Sequence, residues 1–473
     1  MKTEYCVSLP LMKSADVVVL GGGPAGIAAA IASARNGAKT ILIEQHGCLG
    51  GMMTLGLVTP IGATHTKSGK PFGGILAEML DRVAADAKRY AGGTEHLYSS
   101  PHVIKHVALD MVTESGSEIL FHAMLVDVIR EGNTIQGLVV ATKSGLARID
   151  GRIFIDATGD GDLIARAKEE FVIGSEPDVL KNLTVTGLDK VHEEDRAYGD
   201  YDESGLMQPV TVMFTMAGVD GARAERLINK RLTFADFGIT KEEFAKLPYA
   251  NTPGFTIDGE DIPLPQGRIL FFKTARDGEY VINMSRVTAV DGADALSLSA
   301  AEIVAQKQVF YIADFLKRYV DGFQQSHIVE SAATLGVRET RRLVGRYILS
   351  GREAIECVPF DDVIAHGSYI IDIHDPQGRR KAVGGAIKGD CFDIPYRSLV
   401  PKTITNLLAS GRCISADHVA HSSTRIQGTC MLTGQAAGTA AALTLSDNAA
   451  VSALSVPALQ KKLEEQGVRF YRR

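Results

Sequence analysis

Residues 17 to 44, "VVVLGGGPAGIAAAIASARNGAKTILIE", constrain the fold of this chain more than any other stretch. Val17 to Leu20 predicts a buried parallel strand, and Gly21-Gly22-Gly23-Pro24-Ala25-Gly26 sets glycines in the G-x-G-x-x-G spacing. Ile27 opens an apolar, alanine-rich helix that ends at Asn36-Gly37, and Thr40 to Ile43 predicts the second strand. Gly21 permits a tight turn, Gly23 lets backbone N–H groups approach a pyrophosphate, and Gly26 lets the helix lie close to the strand. The helix N-terminus adds partial positive charge. Glu44, 18 residues after Gly26, stands where a carboxylate accepts hydrogen bonds from a ribose diol. The same carboxylate would repel a 2'-phosphate, so the stretch asks for FAD or NAD rather than NADP. A glycine-rich turn that merely packs a parallel sheet would leave Glu44 without a purpose.

A length of 473 residues asks for two lobes, and 45% apolar residues suffice to bury both. The net charge of -6 supplies no basic footprint for nucleic acid or an anionic membrane, so a small soluble substrate is expected. Cys6, Cys48, Cys357, Cys391, Cys413 and Cys430 form no CxxC pair, which argues against zinc, an iron-sulfur cluster and a disulfide framework. No metal is expected, and reduced thiols fit a cytoplasmic protein. Residues 1 to 15 read as neither a signal peptide nor a twin-arginine leader, and glycines interrupt the apolar stretch 15 to 34, so no membrane span is expected.

Other segments decide between FAD and NAD by resemblance. "CLGGMMT" (48 to 54), with Gly50, Gly51 and Thr54, is similar to the glycine pair that lies along the FAD pyrophosphate and ribityl chain in the glutathione-reductase-like flavoproteins. "FIDATGDGDLIARA" (154 to 167) resembles their Ala-Thr-Gly segment beside the adenosine half, with Thr158, Gly159 and Asp160 at the turn. "NLLASGRCISADHVAHSSTRIQGTCMLTGQAAGTAAALTL" (406 to 445) resembles their closing flavin motif. That likeness implies a strand ending at Gly411-Arg412, Asp417 near the ribityl chain, and a helix that begins near Gly434 with its N-terminus toward the flavin. Gly434, Ala437, Gly438 and Leu125 join the implied cofactor residues. With "GVRETRRLVGRYILSG" (336 to 351), "IDIHDPQG" (371 to 378) and "IPYRSLVPK" (394 to 402), these segments resemble the FAD-dependent oxidoreductase family, fumarate-reductase-like branch. The implied cofactor is FAD. Cluster-binding cysteines of related electron carriers are absent, and His46, the histidine near the glycine pair, reads as a loop residue rather than a covalent flavin link.

The small residues from Gly434 to Leu443 also read, without the resemblance, as a helix start whose N–H groups can meet the charge of a reduced flavin, or as a tightly packed helix. The implied architecture is α/β: a Rossmann-type FAD-binding domain with a β-meander and an inserted α+β substrate domain. Residues 1–175 and 395–473 form the FAD-binding part, and 176–394 form the insert that roofs the flavin. A helix is expected at 101 to 116, followed by meander segments Glu118–Ile129, Thr134–Ala141 and Leu146–Ile155. Loops rich in Asp, Glu and Gly follow at 195 to 205 and 250 to 262, and helices at 299 to 320 and 336 to 351.

Chemistry is expected where the roof meets the flavin ring. Asp372 and His374 share a face if their segment is a strand, so that the carboxylate holds the imidazole for proton transfer; otherwise His374 caps a turn. His418, His421 and Arg425 lie between the Gly411 strand and the Gly434 helix, reaching substrate or bracing a crossover loop. Arg338, Arg341 and Arg342 with Glu339 bind a substrate carboxylate or form a salt-bridged helix face. Cys48 has no partner cysteine and reads as a packed residue.

Two functional classes follow. The first moves a hydride between FAD N5 and a carbon of a small, anionic organic substrate. The second uses the same fold for non-redox or group-transfer chemistry, as tRNA-modifying and thiazole-forming proteins do. No second glycine fingerprint marks an NAD(P)H lobe, so electrons leave to oxygen, a quinone, a carrier protein or a second substrate. The sequence specifies neither that acceptor nor the oligomeric state.

Overall fold

The computed structural model describes residues 6–92, 100–176, 205–246, 255–378, 383–447 and 449–471. In chain order the first elements are β1 (Leu11–Ser14), β2 (Val17–Leu20), α1 (Pro24–Arg35), β3 (Thr40–Ile43), α2 (Gly74–Tyr90), α3 (Pro101–Glu114) and β4 (Glu118–Leu120). Next come β5 (Met124–Glu131), β6 (Thr134–Thr142), β7 (Gly145–Asp150), β8 (Ile153–Asp156), α4 (Asp162–Arg166) and β9 (Phe171–Ile173). A parallel sheet in the order β21-β8-β2-β3-β4, with β21 spanning Leu407–Ala409, forms the centre. Its strands β2, β3, β8 and β21 are buried throughout, which is why they read as largely apolar runs rather than alternating ones.

The meander is built from β5, β6 and β7, antiparallel, with β1 added beside β7 in parallel. Its expected first segment, Glu118–Ile129, is divided. His122 takes a left-handed φ of 56°, the chain turns there, and β4 pairs with β3 in the central sheet while β5 enters the meander.

A second antiparallel sheet has the order β13-β14-β10-β15. It comprises β10 (Phe214–Ala217), β13 (Phe271–Lys273), β14 (Tyr280–Ile282) and β15 (His327–Ser331), with α5 (Ala295–Tyr319) nearby in the same apolar core. The expected loop at 250 to 262 contains a hairpin instead: β11 (Phe255–Ile257) and β12 (Glu260–Ile262) join through Asp258-Gly259, both at positive φ as a two-residue I′ turn requires. Residues 195–204 of the other expected loop lie outside the described residues.

The remaining strands and longer helices are β16 (Arg341–Leu343), α6 (Gly351–Glu356), β17 (Val363–Gly367), β18 (Ile371–Ile373), β19 (Val383–Gly385), β20 (Phe392–Pro395), then β21, α7 (His418–Thr424), α8 (Gln427–Asp447) and α9 (Val456–Glu465). The helix expected at 336 to 351 is absent. Arg341–Leu343 pairs with β9 as a strand, and α6 starts only at Gly351, capped by Ser350. The buried residues from Val210 to Leu335, joined by Leu57, pack as one core, whereas those from Leu343 to Val400 pack into the core of the central sheet. The second core thus combines residues of the expected 176–394 lobe with Leu57. No helix among the described residues is long and apolar enough to cross a membrane.

Candidate functional site

The fingerprint turn is shaped by contact on two sides and by space on the third. Gly21 has φ +102°, and a Cβ there would stand 2.5 Å from the Ala157 carbonyl oxygen at the end of β8. A Cβ on Gly26 would stand 1.7 Å from the Gly21 oxygen, so the first turn of α1 lies directly on the strand exit. At Gly23 a Cβ would meet nothing within 4 Å, and Gly23 is the N-cap of α1 with Pro24 following and no side chain capping the helix. Space above Gly23, beside the positive end of a 12-residue helix, suits an anion such as a pyrophosphate.

Glu44 is buried at the end of β3, where Oε2 accepts the Gly22 N–H at 2.6 Å and Oε1 accepts the His46 N–H at 2.8 Å. Each oxygen keeps a further lone pair, the capacity a ribose diol uses. Gly50 donates its N–H to the Gly22 oxygen at 2.8 Å, and a Cβ on Gly51 would lie 2.9 Å from the Gly23 Cα. The glycine pair is therefore laid on the fingerprint turn. Thr54 ends the short 3₁₀ turn Gly51–Met53 and donates its hydroxyl to the Leu49 oxygen at 2.9 Å. Fingerprint, carboxylate and glycine pair converge as FAD requires.

Asp156 at the end of β8 is fully buried and accepts from the Thr158 N–H, the Thr158 hydroxyl and the Ile164 N–H at 3.0, 2.7 and 2.9 Å. Burial pushes its carboxyl up to about 6. Gly159 faces the Arg412 guanidinium, Asp160 pairs with Arg412 at 2.6 Å, and the Thr340 hydroxyl bonds to Asp160 at 2.8 Å. Gly411 sits against the first turn of α1, where its Cβ would stand 2.8 Å from the Ala25 Cβ. Leu125 is half-buried on β5 opposite Val140, against the core of the central sheet.

The closing helix differs from expectation. It begins at Gln427, not near Gly434, so Gly434, Ala437 and Gly438 lie in its interior, all buried. A Cβ on Gly434 would stand 2.1 Å from the Ala25 oxygen, and one on Gly438 2.1 Å from the Ala29 oxygen. These glycines let α8 cross α1 at backbone contact. Asp417 caps α7, accepting the Ala420 and Gly351 N–H groups at 2.8 Å each. His421 and Arg425, expected on a crossover loop, lie in α7 and at its C-cap.

Around α7 the structure brings together residues far apart in sequence. The Asp372 N–H donates to the Ser422 hydroxyl at 3.1 Å, and the Ser423 hydroxyl donates to the Tyr369 oxygen at 2.8 Å, which holds β18 on α7. Arg425 Nη2 donates to the Asp372 backbone oxygen at 3.1 Å and lies 3.5 Å from its carboxylate. His374 Nε2 lies 3.5 Å from the same carboxylate, so Asp372 and His374 do share a face. Burial and the Arg338 charge press the His374 imidazole down to about 4. Burial would raise the Asp372 carboxyl, but His374, Arg425 and Arg338 together hold it well below the usual carboxylate range.

The arginine run is not a solvated helix face. Arg338 donates to the Pro209 oxygen at 2.5 Å and the Thr211 hydroxyl at 2.8 Å, and desolvation together with Arg425 lowers it to about 9. Arg342, fully buried, pairs with Glu339 and with Glu176. Arg341 pairs with Asp162 at 2.9 Å. His421 is 0% exposed, and among the described residues neither ring nitrogen has a hydrogen-bond partner. Leaving such a group unsatisfied costs about 1–3 kcal/mol. Burial presses it well below the ordinary histidine value, so it is a neutral imidazole.

Sequence reasoning did not single out Gln208, Glu176 or Arg286. Gln208 accepts the His374 N–H at 3.1 Å, and Arg286 donates to the Asp375 oxygen at 3.0 Å. Neither stands in a motif, and no periodic signal marks them.

Comparison with known proteins places this geometry. The family model described as FAD dependent oxidoreductase matches residues 16–463. Thiamine thiazole synthase of Methanococcus maripaludis is 31% identical over 156 residues, 30% of this chain and 55% of that protein. The enzyme of the same name from Aeropyrum pernix is 30% identical over 168 residues, 33% of this chain and 58% of that protein. The matches therefore span little more than half the length of these relatives. Among solved structures, a geranylgeranyl bacteriochlorophyll reductase-like protein of Thermoplasma acidophilum covers 96% of this chain and 84% of its own, at 12% identity and TM-score 0.42. A myxobacterial chondrochloren halogenase covers 96% and 79%, at 12% identity and TM-score 0.44. The family match runs from the strand before the fingerprint to the far end of the closing segment, and the chain belongs to the FAD dependent oxidoreductase family, with FAD as its cofactor.

Proposed function

We propose that this flavoenzyme moves a hydride between flavin N5 and a carbon of a small, anionic organic substrate, by dehydrogenation or by reduction of an activated C=C bond. The observation that carries the reading is His421: a buried, neutral imidazole with both ring nitrogens unpartnered among the described residues, one turn from Arg425. FAD, when bound, supplies the two-electron carrier at N5. Gly21, Gly23, Ala25, Gly26, Glu44, Gly50 and Gly51 would hold it. Arg425 and Arg338 set permanent positive charge beside Asp372, enough to orient a substrate carboxylate. His421 takes or returns the proton that accompanies the hydride, at whichever ring nitrogen faces the substrate. Asp372 holds Arg425 in place, and His374 lies against the same carboxylate. The electron acceptor is oxygen, a quinone, a carrier protein or a second substrate.

The test is anaerobic titration of the purified holoprotein with candidate organic acids while the flavin band is followed. A substrate bleaches the band. His421→Ala and Arg425→Ala should keep bound FAD and slow that bleaching by about 100-fold. If both variants react at the wild-type rate and lose only thermal stability, the pair braces α7 and the chemistry belongs to Asp372 and His374. The second reading, thiazole-forming or other group-transfer use of the fold, is favoured by the partial likeness to the two thiamine thiazole synthases. Product formation without any reduction of the flavin would select it.

A further inference from the structure

His418 and His421 stand one turn apart on α7, both 0% exposed, yet their surroundings differ. His418 Nδ1 lies 2.8 Å from Glu339 Oε1, itself 0% exposed. Glu339 also binds Arg342 and receives the Gln208 backbone and side-chain N–H groups at 3.4 Å. Arg342 spends its other donors on the Ala416 oxygen, the Gly174 oxygen and Glu176, while Glu176 accepts the His418 backbone N–H at 3.0 Å. Two carboxylates thus face one guanidinium. Glu176 is partly exposed, whereas Glu339 is fully buried, and a protonated His418 on Glu339 supplies the second positive charge beside the two carboxylates. The same Glu339 outweighs burial and raises His418 above the ordinary histidine value.

His421 has the opposite setting. Burial lowers its pKa first, and although Glu339 is the strongest single charge it faces, Arg342, Arg425 and Arg412, each already paired, act against that carboxylate, and no carboxylate bonds to its ring. On α7 the ring nitrogens without a hydrogen-bond partner among the described residues are His418 Nε2 and both nitrogens of His421. One imidazole is anchored at one end by a carboxylate and open at the other; its neighbour is open at both. Environments that force two titratable groups apart divide acid from base.

We propose that Glu339 is a positioning residue that holds His418 as an imidazolium one helical turn from His421, so that the two rings divide the work: as hydride leaves the substrate for the flavin, His421 takes the one accompanying proton and in the reverse direction returns it, while His418 keeps its own proton as a fixed positive charge beside it. The inference rests on the hydride-transfer reading. Gln208 extends the arrangement, since it touches Glu339 with its amide and the His374 backbone with its carbonyl. The second candidate centre at Asp372 and His374 is thereby tied to the same carboxylate.

The experiment uses the FAD-loaded full chain carrying isotope-labelled histidine, with the two ring signals assigned through His418→Gln and His421→Gln. NMR near neutral pH should show His418 charged and His421 neutral. Glu339→Gln keeps an acceptor for His418 Nδ1 and leaves Arg342 and Glu176 balanced, so it should retain FAD and turn His418 neutral at the same pH. Substrate-driven flavin reduction should then fall about tenfold or more, and the alkaline fall of its rate, set by loss of the His418 proton, should move to lower pH. Glu339→Asp should recover part of both. A neutral His418 in the wild type, or a His418 charge indifferent to Glu339→Gln, overturns the proposal even if Glu339→Gln fails to fold, because the wild-type titration alone decides the first point. If the charges are as stated while Glu339→Gln leaves the rate and its pH profile unchanged, the pair is structural and the proposal also fails. Failure of the hydride-transfer reading looks different: product then forms without any reduction of the flavin while the NMR pattern and its response to Glu339→Gln stand.

Discussion

Gly434→Ala is the sharpest test of how the closing helix works. The added Cβ would stand 2.1 Å from the Ala25 carbonyl oxygen, whereas real Cβ atoms essentially never approach closer than 3.0 Å, so α8 and α1 must part by about 1 Å. Both partners are backbone in buried helices, and no flexible side-chain end can yield. Overpacking of this kind costs about 1–3 kcal/mol and more where backbone must move, while removing a glycine from a helix interior returns about 1 kcal/mol. A net loss of about 2 kcal/mol, and a fall in Tm of about 2 °C, is expected. Ala25 is in the first turn of α1, so the shift should also weaken FAD retention. Gly438→Ala, whose Cβ meets the Ala29 oxygen at the same 2.1 Å, should behave alike. The double variant should cost less than the two losses added, since one separation of the helices relieves both. Thermal unfolding followed by flavin fluorescence measures each quantity. A Gly434→Ala protein as stable as the wild type would show that the crossing is not at backbone contact and would refute the reasoning.

Two further outcomes are accessible with the same protein. Glu44→Gln should keep the fold and weaken FAD binding by about 1–3 kcal/mol, because a charged acceptor becomes neutral and one oxygen is replaced by a donor facing the Gly22 or His46 N–H; unchanged affinity in equilibrium dialysis would place Glu44 away from the ribose. Folding stability should fall between pH 6.5 and about 4, because the unfolded chain protonates His374 at the higher value and the folded one resists until the lower. The loss is at most about 3 kcal/mol at the acid end, and urea midpoints of wild type and His374→Gln, the latter lacking this component, measure it.

Much of the cofactor site was legible because it is local. Gly21, Gly22, Gly23 and Gly26, a helix of small residues and Glu44 lie within 28 residues; Gly21 and Gly26 meet backbone, Gly22 meets the Glu44 side chain, and Gly23 faces open space. The buried strand β2 was legible for a similar reason, since a strand covered on both faces reads as an apolar run, whereas β8 and β21 were implied by resemblance, and β3 and β8 each bury a polar residue, Thr40 and Asp156. Small residues at 434 to 443 did not specify whether a helix starts there or crosses another there, because both uses need the absence of side chains. Only α1, some 400 residues earlier in the chain, decides the question. The run from Arg338 to Arg342 shows the same limit. Its charges fit the exposed face of a helix as well as a buried strand edge, and the choice rests on Asp160, Glu176, Pro209 and His418, which reach it from four other segments. What the sequence determined by itself are the features whose cause lies within one turn or one strand. The tertiary structure alone decided the pairing of buried charges, because an ion pair enclosed in protein is stable only when every partner arrives together.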